Sequence, residues 1–172
     1  AMSFMDGAPL ESVESQPQAE RDRVASALLD LSMRELFEWG WLQSDPNFAN
    51  FLYNPETKKI QLLDFGATRE IPADRRNQFR ALLSAAQTHD HQAILDTAYT
   101  IGYAEPADPR AYREGIGQLI RTACTPLSVP HNYDFAKSQL ANEVADIAWQ
   151  LRVKEKFSRL PPPDVLFLHR KL

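Results

Sequence analysis

The sequence predicts a mainly α fold with one β-hairpin. Over most of the 172 residues, apolar side chains recur at steps of three and four, which is the spacing of helices that bury one face. Two short apolar runs, 51–53 and 60–63, flank a turn-rich spacer and are typical of a hairpin. Glycine and proline residues separate the remaining segments, so roughly six helices are expected around the hairpin.

The elements before the hairpin lead the chain into a loop. Residues 1–16 form a short apolar stretch and a polar connector, and residues 17–42 are predicted to form one long helix. Asp45 precedes Pro46 and must leave helical geometry, because a proline pushes the residue before it toward extended backbone. Asp45 is therefore expected on a loop, where catalytic groups often lie. The apolar positions of the long helix include Val24, Leu28, Leu31 and Leu36.

Residues 71–172 are predicted to form a helical subdomain. Breakers such as Gly102 and Pro130 separate its segments. The expected helices cover 74–87, 91–101, 109–122 and 135–153, and a last helix begins after the three prolines at 161–163.

Composition excludes several classes of protein. The formal net charge of −4 gives no reason to expect a nucleic-acid partner. Cys124 is the only cysteine, so no disulfide forms within the chain, and this residue is interpreted as structural. No stretch reaches 18 consecutive apolar residues, as a membrane-spanning helix would require.

Three residues in and after the loop carry the chemistry that we predict. Asp45 and Asn50 have the spacing D-x-x-x-x-N, and Asp64 begins an Asp-Phe-Gly triplet after the hairpin. Protein kinases hold two Mg²⁺ ions against a nucleotide with parts in this order. Because Mg²⁺ prefers oxygen ligands, Asn50 and Asp64 are predicted metal ligands. Asp45 is the predicted catalytic residue, which orients or deprotonates the attacking hydroxyl or water.

Other patterns are weaker. Gly115-Ile116-Gly117 resembles the start of a dinucleotide fingerprint, but it lacks a third glycine and lies in a helical pattern. His89 and His91 stand at a boundary between helices, where capping or solvated roles are commoner than metal binding. Trp39 and Trp41 are interpreted as core or groove residues. None of these is assigned a functional role.

The motifs resemble those of the UbiB-type atypical kinases, a protein-kinase-like family tied to ubiquinone biosynthesis. Residues 43–50 are similar to that family's catalytic loop and residues 62–70 to its metal segment, and 161–163 with 168–171 match a late landmark. The resemblance implies the C-terminal lobe of the kinase-like fold, with ATP and Mg²⁺ as cofactors. Phe4-Met5-Asp6-Gly7 resembles the hinge, so Met5 and Asp6 are implied to bind the nucleotide.

Other family motifs do not occur in the chain. It contains no glycine-rich loop, no Val-Ala-Ile-Lys-like strand and no Lys-x-Gly-Gln motif, so the N-terminal lobe is expected to be absent and to be a partner of this chain. Residues 1–172 alone are therefore expected to be inactive. For the full-length protein, the resemblance implies an ATP-dependent kinase or ATPase that acts with ubiquinone-pathway lipids or enzymes.

Two other functions stay open. The first is a non-catalytic, nucleotide-gated scaffold or lipid-binding protein, and the second is a small-molecule kinase similar to aminoglycoside phosphotransferases. Residues 150–172 hold six basic and two acidic side chains, so peripheral contact with a membrane is kept as an alternative to a solvated surface. The expected location is the bacterial cytoplasm, at or near the inner membrane, with the matrix side of the mitochondrial inner membrane as the alternative.

Overall fold

The computed structural model describes residues 4–45, 47–130, 132–154, 161–163 and 165. These residues form two compact units, one ending at Pro72 and one running from Ala73 to Val165. The first unit contains the small antiparallel sheets and the second is helical, so the predicted mainly α class is confirmed.

The predicted hairpin lies in the first unit. Strand β3 pairs with β4 in antiparallel register, from Phe51 opposite Leu62 to Asn54 opposite Lys59. Strand β1 adds to the other edge of β3, which gives the order β1-β3-β4. The elements of this unit are β1 (Ala8–Pro9), a 3-10 turn (Leu10–Ser15), α1 (Gln18–Arg34), a π-helical turn (Glu35–Trp39), β2 (Trp41–Gln43), a 3-10 turn (Phe48–Asn50), β3 (Phe51–Asn54), β4 (Lys59–Leu62) and β5 (Thr68–Glu70).

The prediction of a helix over 17–42 is wrong at its C-terminal end. Helix α1 stops at Arg34, and the π-helical turn carries the chain only to Trp39. Gly40 then adopts a left-handed conformation with φ 72°, which ends the helix at little cost because glycine has no Cβ. The next three residues form β2 and pair with β5, a second small sheet that the sequence did not predict.

The core of the first unit lies between the hairpin and α1. Phe51 and Tyr53 alternate along β3, so both point to the same face of the sheet and are buried there. On this face Tyr53 donates a hydrogen bond to Glu20, and Arg23 of the same helix donates to the Lys58 carbonyl at 2.9 Å. These contacts fix α1 to the hairpin. The buried core also includes Leu10, Val13 and Val24, with Leu28, Leu31, Ile60 and Leu62 packed against it.

The second unit is built from helices close to the predicted ones. They are α2 (Ala73–Gln87), α3 (His91–Ile101), α4 (Arg110–Ala123), the short α5 (Thr125–Ser128) and α6 (Leu140–Trp149), which continues as a π-helical turn (Gln150–Lys154). The helix predicted over 135–153 therefore begins five residues late. The helix predicted after 161–163 lies almost entirely outside the described residues.

Close packing explains the glycine pair of this unit. Helix α2 packs on α3, α3 on α4, and α4 on α6. A side chain at Gly115 would collide with Leu151, and one at Gly117 would lie 3.2 Å from Leu95. The two glycines thus allow close contacts between helices, and they lie within α4, consistent with the helical pattern noted in the sequence. Among the helices that the structure describes, none combines the length and apolar character needed to cross a membrane.

Candidate active site

The loop that follows β2 holds Asp45 close to the second small sheet. Ser44 is buried, and both its backbone N–H and its hydroxyl donate to the carbonyl of Ala67, at 3.1 and 2.8 Å. Asp45 itself is half-buried, and its Oδ1 accepts from the N–H of Asn47 at 3.3 Å. Asn47 also caps the 3-10 turn that follows, since its Oδ1 accepts from the N–H of Ala49 at 3.0 Å. The loop is therefore ordered by its own polar side chains.

Asp45 and Asn50 meet directly. The Asn50 amide nitrogen, Nδ2, donates to Asp45 Oδ2 at 2.9 Å. Because the NH₂ group faces the carboxylate, the amide oxygen of Asn50 is left for another partner. Of the three residues predicted to carry the chemistry, the structure thus joins two by a charge-assisted hydrogen bond.

Asp64 lies at the exit of the hairpin with an exposed side chain. Its Oδ1 accepts from the N–H of Gly66 at 2.7 Å, which fixes the carboxylate over the Asp-Phe-Gly turn. The preceding residue, Leu63, donates its N–H to the Asn50 carbonyl at 2.8 Å. Asp64 is thereby one residue away from a backbone link to the loop that carries Asp45.

Gln43 links the two segments through its side chain. This residue is 2% exposed and is the last residue of β2. Its Nε2 donates to the Asp64 carbonyl at 2.5 Å, and its Oε1 accepts from the Asp45 N–H at 2.7 Å. One buried amide therefore touches the backbone of both predicted functional aspartates.

The donor set fits a hard cation. Carboxylate oxygens of Asp64 and the amide oxygen of Asn50 are ligands of the kind that Mg²⁺ prefers. Within the described ranges, no group of three histidine, cysteine, aspartate or glutamate side chains forms a metal cluster.

Asp6 contacts the hairpin rather than the loop that carries Asp45. The carbonyl of Asp6 accepts from Asn54 Nδ2 at 2.9 Å. Asn54 ends β3, whereas Asn50 precedes it, and the four residues of this strand span about 13 Å. Asp6 therefore lies beside the far end of β3, and the nucleotide-binding role of Met5 and Asp6 stays a prediction.

An apolar groove lies beside the Asp-Phe-Gly turn and encloses about 490 Å³. Phe65, which is 62% exposed, lines this groove together with Trp39 and Trp41. The two tryptophans are thus groove residues, one of the two interpretations given above. The remaining lining residues are Arg23, Ala27, Leu31, Glu35, Gln43, Ile60, Leu62 and Thr68.

Sequence reasoning missed the parts that Gln43 and Ser44 play. Both act through hydrogen bonds with backbone atoms of another segment, and no spacing in the sequence marks such contacts. The available signal was position: both residues directly precede Asp45 at the end of a segment that becomes β2.

Comparison with known proteins places this geometry in a family context. A model of the ABC1 atypical kinase-like domain matches residues 1–98. The protein named Atypical kinase COQ8B, mitochondrial, from Rattus norvegicus is 29% identical over 172 residues, which cover 99% of this chain and 32% of that protein. Atypical kinase COQ8, mitochondrial, from Saccharomyces cerevisiae is 28% identical, over 99% of this chain and 34% of that protein. The Schizosaccharomyces pombe protein of the same name is 32% identical, over 90% and 25%.

Two facts follow from these matches. The chain spans about a third or less of the length of these relatives. The expected bacterial cytoplasmic location is wrong, because the relatives are named mitochondrial, which the sequence analysis had offered only as the alternative.

Proposed function

Because the chain belongs to the ABC1 atypical kinase-like (UbiB) family, we propose that residues 43–70 form the catalytic and metal-binding part of an ATP-dependent kinase or ATPase site. The observation that carries this proposal is the hydrogen bond from Asn50 to Asp45, made beside a loop that Gln43 ties to Asp64. The candidate catalytic carboxylate thereby contacts one candidate metal ligand, and the backbone of the second, Asp64, is tied to the same loop.

Asp45 acts on the attacking oxygen. Its carboxylate is held by two donors, the Asn47 N–H and the Asn50 amide, so it is oriented before substrate arrives. In that position it aligns a hydroxyl or water for attack on the terminal phosphate of ATP and accepts its proton. Orientation of this kind reduces the reorganisation needed in the transition state.

Asn50 and Asp64 would hold the cation. Asn50 offers its amide oxygen, and Asp64 offers the carboxylate that the Gly66 N–H fixes through one oxygen. Bound Mg²⁺ supplies positive charge that neutralises phosphate oxygens. The protein's own contribution is to orient these two side chains, Asn50 through its hydrogen bond to Asp45 and Asp64 through the Gly66 N–H.

The activity of the whole protein is a wider proposal. Met5 and Asp6 would contact the nucleotide only when further parts of the protein complete the site, and residues 1–172 alone would bind ATP weakly. The COQ8 and COQ8B names of the relatives support a role in the ubiquinone pathway. Action on the lipids or enzymes of that pathway, and peripheral contact with a membrane, are part of the proposal and follow from the sequence alone. Phosphoryl transfer and ATP hydrolysis both use the same Asp45 chemistry.

The experiment compares two substitutions in the natural full-length protein. Asp45→Asn is expected to lower kcat for ATP turnover by roughly 10² to 10⁴, the range for a positioned acid or base, with nucleotide affinity little changed. Asp64→Asn is expected to weaken Mg²⁺-dependent nucleotide binding, because it removes a hard, charged ligand. Asp30→Asn, at an exposed position of α1, is the control for loss of one carboxylate.

The outcomes separate the proposal from the scaffold alternative. A non-catalytic scaffold predicts that turnover, if any, survives Asp45→Asn. Unchanged Mg²⁺-dependent affinity in Asp64→Asn would remove the metal assignment. Losses of the same size in Asp30→Asn would show that the effects come from net charge rather than from the site.

A further inference from the structure

The candidate site depends on two loops that enter it from different directions. Asp45 follows β2, whereas Asp64 follows β4. A displacement of about 1 Å between catalytic groups can cost on the order of 10²-fold in rate. The contacts that set the spacing between these loops are therefore expected to affect the rate.

The buried amide of Gln43 matches both loops in one orientation. The Asp45 N–H can only donate and the Asp64 carbonyl can only accept. A primary amide has one donor end and one acceptor end, and both are used, at 2.5 and 2.7 Å. If the amide were reversed, its NH₂ group would face the Asp45 N–H and its oxygen would face the Asp64 carbonyl oxygen. Donor would then meet donor and acceptor would meet acceptor, so the orientation of the amide is fixed.

We infer that Gln43 is a positioning residue of the phosphotransfer site, which sets the Asp45 loop against the Asp64 loop through these two hydrogen bonds. The inference rests on the function proposed above. Gln43 touches no reacting atom; it acts through the backbone of the two residues that do. Its place at the end of β2, directly paired with Thr68 of β5, gives the amide a fixed base.

Gln43→Glu in the natural full-length protein is the decisive variant. A glutamate has nearly the same shape, but its carboxylate has no donor for the Asp64 carbonyl. A protonated carboxyl group has one donor and one acceptor and restores the pattern of the amide. We expect kcat for ATP turnover to fall about 10- to 100-fold at pH 8. The ratio of parent to variant kcat should then shrink at least about tenfold at pH 6, as a buried carboxyl group takes up its proton.

A structural role alone predicts a different result. Tyr53→Phe removes one buried hydroxyl of the same unit, which binds Glu20 and neither loop. This control is expected to lower the thermal midpoint while kcat and its pH profile stay those of the parent. All rates are compared well below the lowest midpoint, so that every variant is folded.

Gln43→Met keeps the test decisive if the glutamate variant does not fold. Methionine is of similar length and has no amide, so kcat should fall at every pH without recovery in acid, and the KM for ATP should change less than kcat. Hydrogen exchange of the Asp45 amide should be at least about tenfold faster than in the parent, because its acceptor is lost.

Failure of this inference is distinguishable from failure of the proposed function. Parent-like kcat and parent-like Asp45 exchange in both Gln43 variants would overturn the positioning role, even if Asp45→Asn and Asp64→Asn behave as proposed. If the parent turned over no ATP, the proposed function would fall. In that case, hydrogen exchange of the Asp45 amide that is as slow in both Gln43 variants as in the parent would also overturn the hydrogen bond from Asp45 to Gln43.

Discussion

Replacement of Asn50 by aspartate tests the contact on which the candidate site is built. Asn50→Asp exchanges the amide nitrogen that donates to Asp45 Oδ2 at 2.9 Å for a carboxylate oxygen. A hydrogen bond to a charged group is lost, which costs about 1.5–3 kcal/mol. Two charges are also brought together, and at 2.9 Å their repulsion reaches about 6 kcal/mol at an effective dielectric constant near 20.

The full repulsion will not be observed. Both side chains are half-buried, so rotation and water relieve most of it. We expect a total loss of about 2–4 kcal/mol in the free energy of unfolding at pH 8. Because one carboxyl group of a close pair keeps its proton, the pKa of the pair rises in the folded state. A raised folded pKa contributes stability below the unfolded pKa and loses it as pH rises, so the variant should approach the parent near pH 5.

Urea unfolding followed by circular dichroism at pH 5 and pH 8 measures this effect. Asn50→Ala removes the hydrogen bond without adding charge and should show a smaller, pH-independent loss. Asn47→Asp adds the same charge nearby but keeps the oxygen that accepts from the Ala49 N–H. If Asn50→Asp lost no more stability at pH 8 than Asn47→Asp, or showed no difference between the two pH values, the Asp45–Asn50 contact would not exist in solution.

Two further predictions concern the scaffold of each unit. The pKa of Glu20 is lowered to about 2 by hydrogen bonds from Arg23 and Tyr53, so its contribution to stability is present above the unfolded pKa of about 4.5 and is lost as pH falls through about 2. In the Glu20→Gln variant, the urea midpoint should fall less between pH 5 and pH 2 than it does in the parent. An equally steep fall in the variant would show that Glu20 is not the source of this pH dependence. Gly102→Ala should destabilise the second unit by about 1–2 kcal/mol, because Gly102 ends α3 at φ 98° and a Cβ there would lie 3.0 Å from Pro162 Cγ. An unchanged thermal midpoint would show that α3 does not end in this conformation.

Local signals were sufficient for the helices and the hairpin. The helix predicted over 91–101 has the observed bounds, because Asp90 caps its first turn and Gly102 ends it. The hairpin followed from two apolar runs around a turn-rich spacer, and the paired residues of β3 and β4, from Asn54–Lys59 to Phe51–Leu62, lie within one short stretch of the chain. Signals of this kind depend only on residues that are close together along the chain.

The β2–β5 sheet could not be predicted in the same way. Its strands have three residues each and pair across the whole loop and hairpin, so they show no periodicity of their own. The apolar pattern of α1 appeared to continue through Trp41 and Leu42, and this favoured helix. Gly40 was the available stop signal, since a glycine after an amphipathic run commonly ends a helix.

In the candidate site, the residues recognisable from a motif were predicted, and the residue that acts through backbone contacts was not. Asp45, Asn50 and Asp64 were predicted because their side chains have chemistry that a motif preserves, and the structure joins the first two directly. Gln43 was not predicted, because its partners are a backbone N–H and a backbone carbonyl, which every residue possesses. Only the fold shows which of them a buried amide can reach.

The apolar groove beside Phe65 gives the molecule a built-in optical reporter. Trp39 and Trp41 are two of the three tryptophans in the chain, and with 47% and 53% of their surface exposed their indole rings face water. Indole emission shifts to shorter wavelength when water is excluded. An occupant of the groove that excludes water from these rings would therefore shift the wavelength of the protein's tryptophan fluorescence. Since Phe65 directly follows Asp64 and lines the same groove, that wavelength shift would report on the surroundings of the Asp-Phe-Gly turn without an attached dye.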